Sequence, residues 1–158
     1  MAKTVNDSRP LFGLAIATVF GVGYAPVAPG TFGSAAGLIA WWLLRPASTA
    51  VQAAAIVVIF IVGSWAGSVA ERHFGRSDPG QVVIDEVMGM LITLFLNPVG
   101  WVGALAGFFL FRLFDVIKPY PANRLEKLHG GIGVMADDAM AAVYANLVLR
   151  AGLYFLSK

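Results

Sequence analysis

The chain has 158 residues, of which 58% are hydrophobic and only 13% charged, with a mean hydropathy of +0.76. Soluble domains carry about 25% charged and about 45–50% apolar residues, and a soluble fold of this length has too little interior to hide the excess, so lipid is the better solvent. A net charge of +2, from 11 basic and 9 acidic residues with no basic stripe among aromatics, argues against a nucleic-acid partner. The lack of cysteine excludes disulfides, thiolate metal sites and a cysteinyl-phosphate mechanism.

The length fits a single membrane-embedded domain, 11–158, behind an N-terminal arm, 1–10. Lys3 and Arg9 precede an apolar run, Leu11 to Phe20, that mimics a signal peptide, and the longer segment Leu11 to Val22, interrupted by glycines, is the weakest spanning candidate. Asp7 in the basic part, and Pro26 and Pro29 near the cut site, favour a retained interfacial or re-entrant segment instead. Phe32 to Leu44 is a short apolar stretch ended by Arg45-Pro46. Ala50 to Ala70 carries no charge and is the clearest spanning helix, with a rise of roughly 31 Å. Val87 to Leu96 is long enough to cross only if Asp85 and Glu86 lie at or just inside one membrane face. Val99 to Phe114, with Arg112 near its end, and Met140 to Leu156, interrupted by Arg150, complete the set. Open strands would leave unpaired backbone groups in lipid, so the expected fold is an all-α transmembrane bundle. Gly33/Gly37, Gly63/Gly67 and Gly103/Gly107 are small-xxx-small pairs that allow close helix packing, within one chain or in a homo-oligomer.

The loops Glu71–Gln81 (Arg72, Arg76) and Ile117–Ala136 (Lys118, Arg124, Lys127) are basic, whereas Asn97–Gly100 is uncharged. Basic loops favour the cytoplasm. That orientation keeps Lys3 and Arg9 inside, leaves Lys158 outside, and brings the unusual residues of distant segments to one cytoplasmic level. Asp85, Glu86, Asp115, Asp137 and Asp138 each border an apolar segment. Charges at bilayer depth cost about 2.5–3.5 kcal/mol on insertion scales, so they mark a function or a partner. Clustered carboxylates repel unless a cation joins them, and hard oxygen ligands suit Mg²⁺. The competing reading is a set of solvated helix starts where negative charge suits the dipole.

Arg112, Asp115 and Lys118 recur at i, i+3 and i+6 before Pro119, which ends the helix. They read either as a metal ligand with phosphate-binding cations or as a snorkelling ion-pair ladder. Pro29 to Ser34 is a helix start in which Thr31 and Ser34 offer hydroxyls and backbone N–H groups can receive phosphate; it is also an ordinary start with a Thr cap. His129, in the glycine loop His129–Gly133, is either a proton donor to a leaving alkoxide or a plain surface residue.

Taken together, the blocks Ala28–Ser34, Asp85–Met90, Phe111–Arg112 with Asp115 and Lys118–Pro119, and His129–Gly131 followed by Asp137–Asp138 resemble the phosphatidylglycerophosphatase A family from about Gly21 to Val143. The Asp-x-Asp, Pro-Ser-Gly-His and Asp-Gly-x-x-Ala-Arg signatures of other membrane phosphate enzymes are missing. The resemblance implies a bacterial inner-membrane enzyme, dependent on Mg²⁺, that acts on phosphatidylglycerol phosphate. On the matched positions, Asp85, Glu86, Asp137 and Asp138 are expected to hold one or two Mg²⁺ ions, with Asp115 as ligand or base. Lys118, Arg112, Thr31 and Ser34 are expected to steady the phosphate, and His129 to act as acid. The rival is a small transporter or channel, with carboxylates strung along a path through the membrane. An inactive assembly subunit, using only its glycine faces, is the third reading.

Overall fold

The computed structural model describes residues 8–156, with side chains from Pro10 onward. Lys3 and Lys158, and the side chain of Arg9, used above for orientation, lie outside the described residues. Every regular element among the described residues is helical: α1 (Ser8–Ala17), a 3₁₀ turn (Val22–Tyr24), α2 (Pro29–Leu44), α3 (Thr49–Phe74), α4 (Ile84–Leu94), α5 (Trp101–Ile117), α6 (Ala122–Leu125) and α7 (Gly131–Leu156).

Helices α3 and α7, each of 26 residues, are long and apolar enough to cross a bilayer. Only 28% and 22% of their apolar windows are buried, so they present their hydrophobic surface outward, unlike the core helices of a soluble protein. Ser48 caps the start of α3 by accepting from Val51 N–H, and Gly75, left-handed at φ 67°, closes its end. The run Ala50–Ala70 read from composition thus sits wholly inside α3.

The central helix is α4. Nine of its eleven residues are buried, against α2, α3, α5 and α7. It rises only about 16 Å and ends beside Asn146, ten residues short of the end of α7. Asn146 of α7 donates to the carbonyls of Ile92, Thr93 and Phe95 at 2.8–3.0 Å, and Asn97 donates to Thr93 O at 3.1 Å. Two asparagines therefore supply the donors that lipid cannot.

Close packing rests on glycine at several crossings. A Cβ on Gly37 would lie 2.6 Å from Met90, one on Gly63 2.7 Å from Met135, and one on Gly107 2.8 Å from Leu94. These faces are filled within the chain. Gly131 is tighter than these: a Cβ there would fall 2.1 Å from Ser64 O, and its N–H donates to Ser68 Oγ at 2.9 Å. This crossing starts α7 nine residues before Met140. The glycine segment expected to be a loop is therefore helical from Gly131, and Asp137 and Asp138 lie inside α7 rather than at its start. At ten residues, α1 is too short to cross on its own and instead packs on α3, with Val83 N–H donating to Ala17 O at 2.9 Å.

Replacing Asn146 with leucine removes a donor from three part-buried carbonyls; Thr93 O keeps Asn97 and Ile92 O keeps the Phe95 N–H, but Phe95 O is left unpaired, at a cost of about 1–3 kcal/mol. Asn146→Leu should lower the thermal unfolding midpoint of the detergent-solubilised protein by several degrees; an unchanged midpoint would show that α4 ends without needing this cap.

Candidate active site

Antiparallel packing brings the first turns of α2, α4 and α7 and the last turn of α5 to one end of the bundle. Asp85 and Glu86 stand in the first turn of α4, where the helix dipole favours acids. Asp138 lies about 10 Å along α7 from Gly131, at the usual rise per residue. One carboxylate oxygen from each of Asp85, Glu86 and Asp138 lies within 4.8 Å of the others, and all three residues are buried. Asp85 Oδ1, Glu86 Oε2 and Asp138 Oδ2 have no hydrogen-bond partner. At an effective dielectric of about 20, each pair of charges at that separation repels by about 3–4 kcal/mol. Three all-oxygen donors with lone pairs to spare are what a hard divalent cation binds, so the residues present fit Mg²⁺.

The other two expected ligands flank this trio, each held by a cation. Asp115 binds Arg112 Nη1 at 2.7 Å, and the same nitrogen lies 3.7 Å from Glu86 Oε1. The Asp115 carboxyl also meets that of Asp138. Asp137 is bonded by Lys118 Nζ, and its Oδ1 accepts from Asp138 N–H at 3.0 Å. The ladder read from spacing thus exists, but its ends lean into the carboxylate cluster rather than outward to solvent. Lys118 also lies 3.7 Å from Glu126. Burial lowers its pKa, yet the bond to Asp137 and the surrounding acids outweigh that, and it rises above the ordinary lysine value. Its pairing therefore stabilises the fold fully below that ordinary value and is lost only as pH climbs through the raised one.

The start of α2 forms the wall opposite. A Cβ on Gly30 would lie 2.3 Å from Glu86 Oε1 and 2.9 Å from Arg112 Nη1. The helix begins with Pro29 behind Ala28, which is left-handed at φ 48° and gives no side-chain cap, so Thr31 is not the cap that its sequence suggests. Thr31 lies half-buried in the first turn. Ser34 is fully buried and donates its hydroxyl to Gly30 O at 2.9 Å. His129 is exposed and borders a neighbouring hollow of about 230 Å³, shared with Asp78 and Glu126.

Asp78 escapes the sequence reading. It precedes Pro79-Gly80 and looks like a turn residue, yet it stands near enough to act electrostatically on Asp85 and Asp137. Although Asp78 keeps exposed surface, crowding by nearby protein raises its pKa, Lys118 pulls it down, and Glu126, Asp115 and Glu71 push it up again. Ala28, Asp78 and Lys118 are three of the six non-glycine residues at positive φ among the described residues, and all three border this end. Such local strain gathers where function over-determines the backbone. The signal available in sequence was the acid itself, seven residues before Asp85.

Fold and site together define a helical membrane protein with a buried carboxylate cluster suited to a divalent cation. Residues 15–153 match the family model described as phosphatidylglycerophosphatase A. A putative phosphatidylinositol-3-phosphatase of Bacteroides thetaiotaomicron is 39% identical, covering 89% of this chain and 94% of the relative. The phosphatidylglycerophosphatases A of Haemophilus influenzae and Escherichia coli are 36% and 35% identical, over 98% and 85% of this chain and 95% and 79% of theirs. No solved structure matches the chain. The chain belongs to the phosphatidylglycerophosphatase A family and is a phosphatase.

Gly30→Ala tests the wall of the site. The added methyl must displace Glu86 or Arg112, and misplacement near 1 Å costs about 100-fold in rate. Phosphatase kcat/KM should fall by that order with little change in unfolding temperature; wild-type kinetics would remove Gly30 from the site.

Proposed function

We propose that this chain hydrolyses the terminal phosphate monoester of phosphatidylglycerol phosphate, giving phosphatidylglycerol and inorganic phosphate, at a Mg²⁺ site held by Asp85, Glu86 and Asp138. The observation that carries this reading is the unpaired oxygen on each of three buried carboxylates gathered within 4.8 Å. When bound, the cation supplies neutralisation of phosphoryl charge and lowers the pKa of a water.

The chain's own residues do the rest. Both ion pairs of Arg112 use Nη1, so Nη2 and Nε are left to grip phosphoryl oxygens in the fork geometry that suits phosphate. The first turn of α2, which carries Thr31 and brings Gly30 against Glu86 and Arg112, offers its positive end and the Thr31 hydroxyl as further phosphate donors. Ser34 acts by fixing the Gly30 carbonyl and so holding that turn, rather than by touching phosphate. Asp115, braced by Arg112 beside Asp138, takes the proton of the attacking water. As the new oxygen–phosphorus bond forms, the bond to the glycerol oxygen breaks. The departing oxygen takes its proton from water or from His129, which lines the neighbouring hollow beside Asp78. Lys118 holds Asp137 and so fixes the part of α7 that carries Asp138. The acyl chains stay in lipid, and only the head group enters.

We place the bundle as a multi-pass protein of the bacterial inner membrane, with this end in the cytoplasm, because both basic loops lie at it. The transporter reading is not favoured. Every acid among the described residues gathers at this one end, with no charged path along the bundle.

The test is phosphate release by purified protein from phosphatidylglycerol phosphate, phosphatidylinositol 3-phosphate and phosphatidic acid. The first should turn over fastest, and a chelator should abolish release until Mg²⁺ is restored. Loss of metal second-shell groups costs about 10–100-fold, so the ligand variants Asp85→Asn and Asp138→Asn should lose at least about 100-fold. Undiminished rates in both variants would sink the site, and a preference for the inositol lipid would reassign the substrate.

A further inference from the structure

We propose that the end of the bundle opposite the carboxylates binds the head-group phosphate of an anionic phospholipid, in a recess left where α4 stops short. The phosphatase chemistry plays no part in this inference; it rests on the multi-pass reading only in placing the recess in the other leaflet.

The recess has a structural cause. Helix α4 ends at Leu94, and its last carbonyls are met by Asn146, about 15 Å along α7 from Leu156 at the usual helical rise. Above this early end lies a hollow of about 510 Å³ bordered by Trp41, Arg45, Thr49, Gln52 and Asn97. A second hollow, of about 410 Å³, shares Leu96, Asn97 and Pro98 with it and carries Arg150. Leu96, at the junction, is left-handed at φ 59°, a costly conformation for a leucine.

Charge selects the occupant. All described acids, and all four ion pairs among the described residues, lie at the carboxylate end. Among the described residues, Arg45 and Arg150 are the basic residues left at this end, and no described acid pairs with them. The Arg45 guanidinium lies 5.7 Å from the Trp41 ring and 5.6 Å from the Trp42 ring, and Trp42 stacks on Trp101 at 4.9 Å. These rings orient the cation without neutralising it. A phosphodiester at head-group depth supplies the missing charge in the fork geometry that arginine favours, while the hydroxyl of Thr49, which also borders the hollow, offers a further donor. A lone interfacial aromatic belt explains the tryptophans but neither the recess nor the two unmatched arginines.

Trp41 borders the recess and packs with Trp101, which stacks on Trp42, so three of the four tryptophans form one ring cluster at it and intrinsic fluorescence reports on it. Protein in an uncharged detergent is titrated with phosphatidylglycerol, phosphatidylcholine or inorganic phosphate. A saturable change with phosphatidylglycerol alone is expected, weakened about tenfold by Arg45→Gln, as loss of one charge-assisted bond implies. Asp138→Asn should leave the signal intact, which separates this site from the catalytic one. Arg150→Gln provides a second variant at an exposed position, and retained phosphatase activity in both arginine variants shows that they fold. An equal response to phosphatidylcholine, a response to inorganic phosphate alone, persistence in both arginine variants, or loss in Asp138→Asn would each overturn the proposal.

Discussion

Three buried carboxylates within 4.8 Å of one another repel, and the protein leaves one oxygen of each without a partner. A chain that needed only stability would have paired or removed them, since unpaired buried charge is among the costliest things a fold can hold. The bundle instead spends its cations on the flanks. Arg112 braces Asp115 and reaches Glu86, and Lys118 holds Asp137. The cluster could hold a metal ion, and on the function proposed above a divalent cation there would both offset the repulsion and attract a phosphate.

That arrangement depends on helices approaching more closely than side chains allow. Gly33 sits against Val83 and Glu86, Gly89 lies under the Phe111 ring, and Gly131 touches the backbone of α3. Each contact fixes one helix that carries the clustered carboxylates: α4 through the first two, α7 through the third. The Asn146 cap acts on the same problem from the other direction, because it lets α4 be short enough to start its acidic turn inside the bundle.

Much of this was legible in sequence because lipid imposes simple rules. An uncharged run such as Ala50–Ala70 has few alternatives to a spanning helix, and carboxylates beside apolar runs need a reason. The i, i+3 spacing of Arg112 and Asp115 gave a real ion pair. What failed did so for tertiary reasons. Gly131 and Gly133 read as loop because isolated glycine disfavours helix, whereas contact with α3 and the Ser68 hydroxyl started α7 there. Spacing cannot say that Asp137 turns to Lys118 while Asp138 turns to Asp85, since adjacent residues on a helix face apart. Ser34 looked free to bind phosphate, but its hydroxyl is spent on Gly30 O. Asp78 was hidden by a sufficient local explanation, the turn before Pro79.

The flanking ion pairs and the trio differ in what they imply for metal binding, and that difference can be measured directly. Mn²⁺, as a paramagnetic stand-in for Mg²⁺, can be followed by electron paramagnetic resonance during titration of the detergent-solubilised protein. The account predicts saturable binding that Mg²⁺ competes away and that Glu86→Gln, which removes charge from the trio while nearly keeping its shape, weakens severely. Tight binding that persists in Glu86→Gln, or no saturable binding to the wild-type protein, would contradict it.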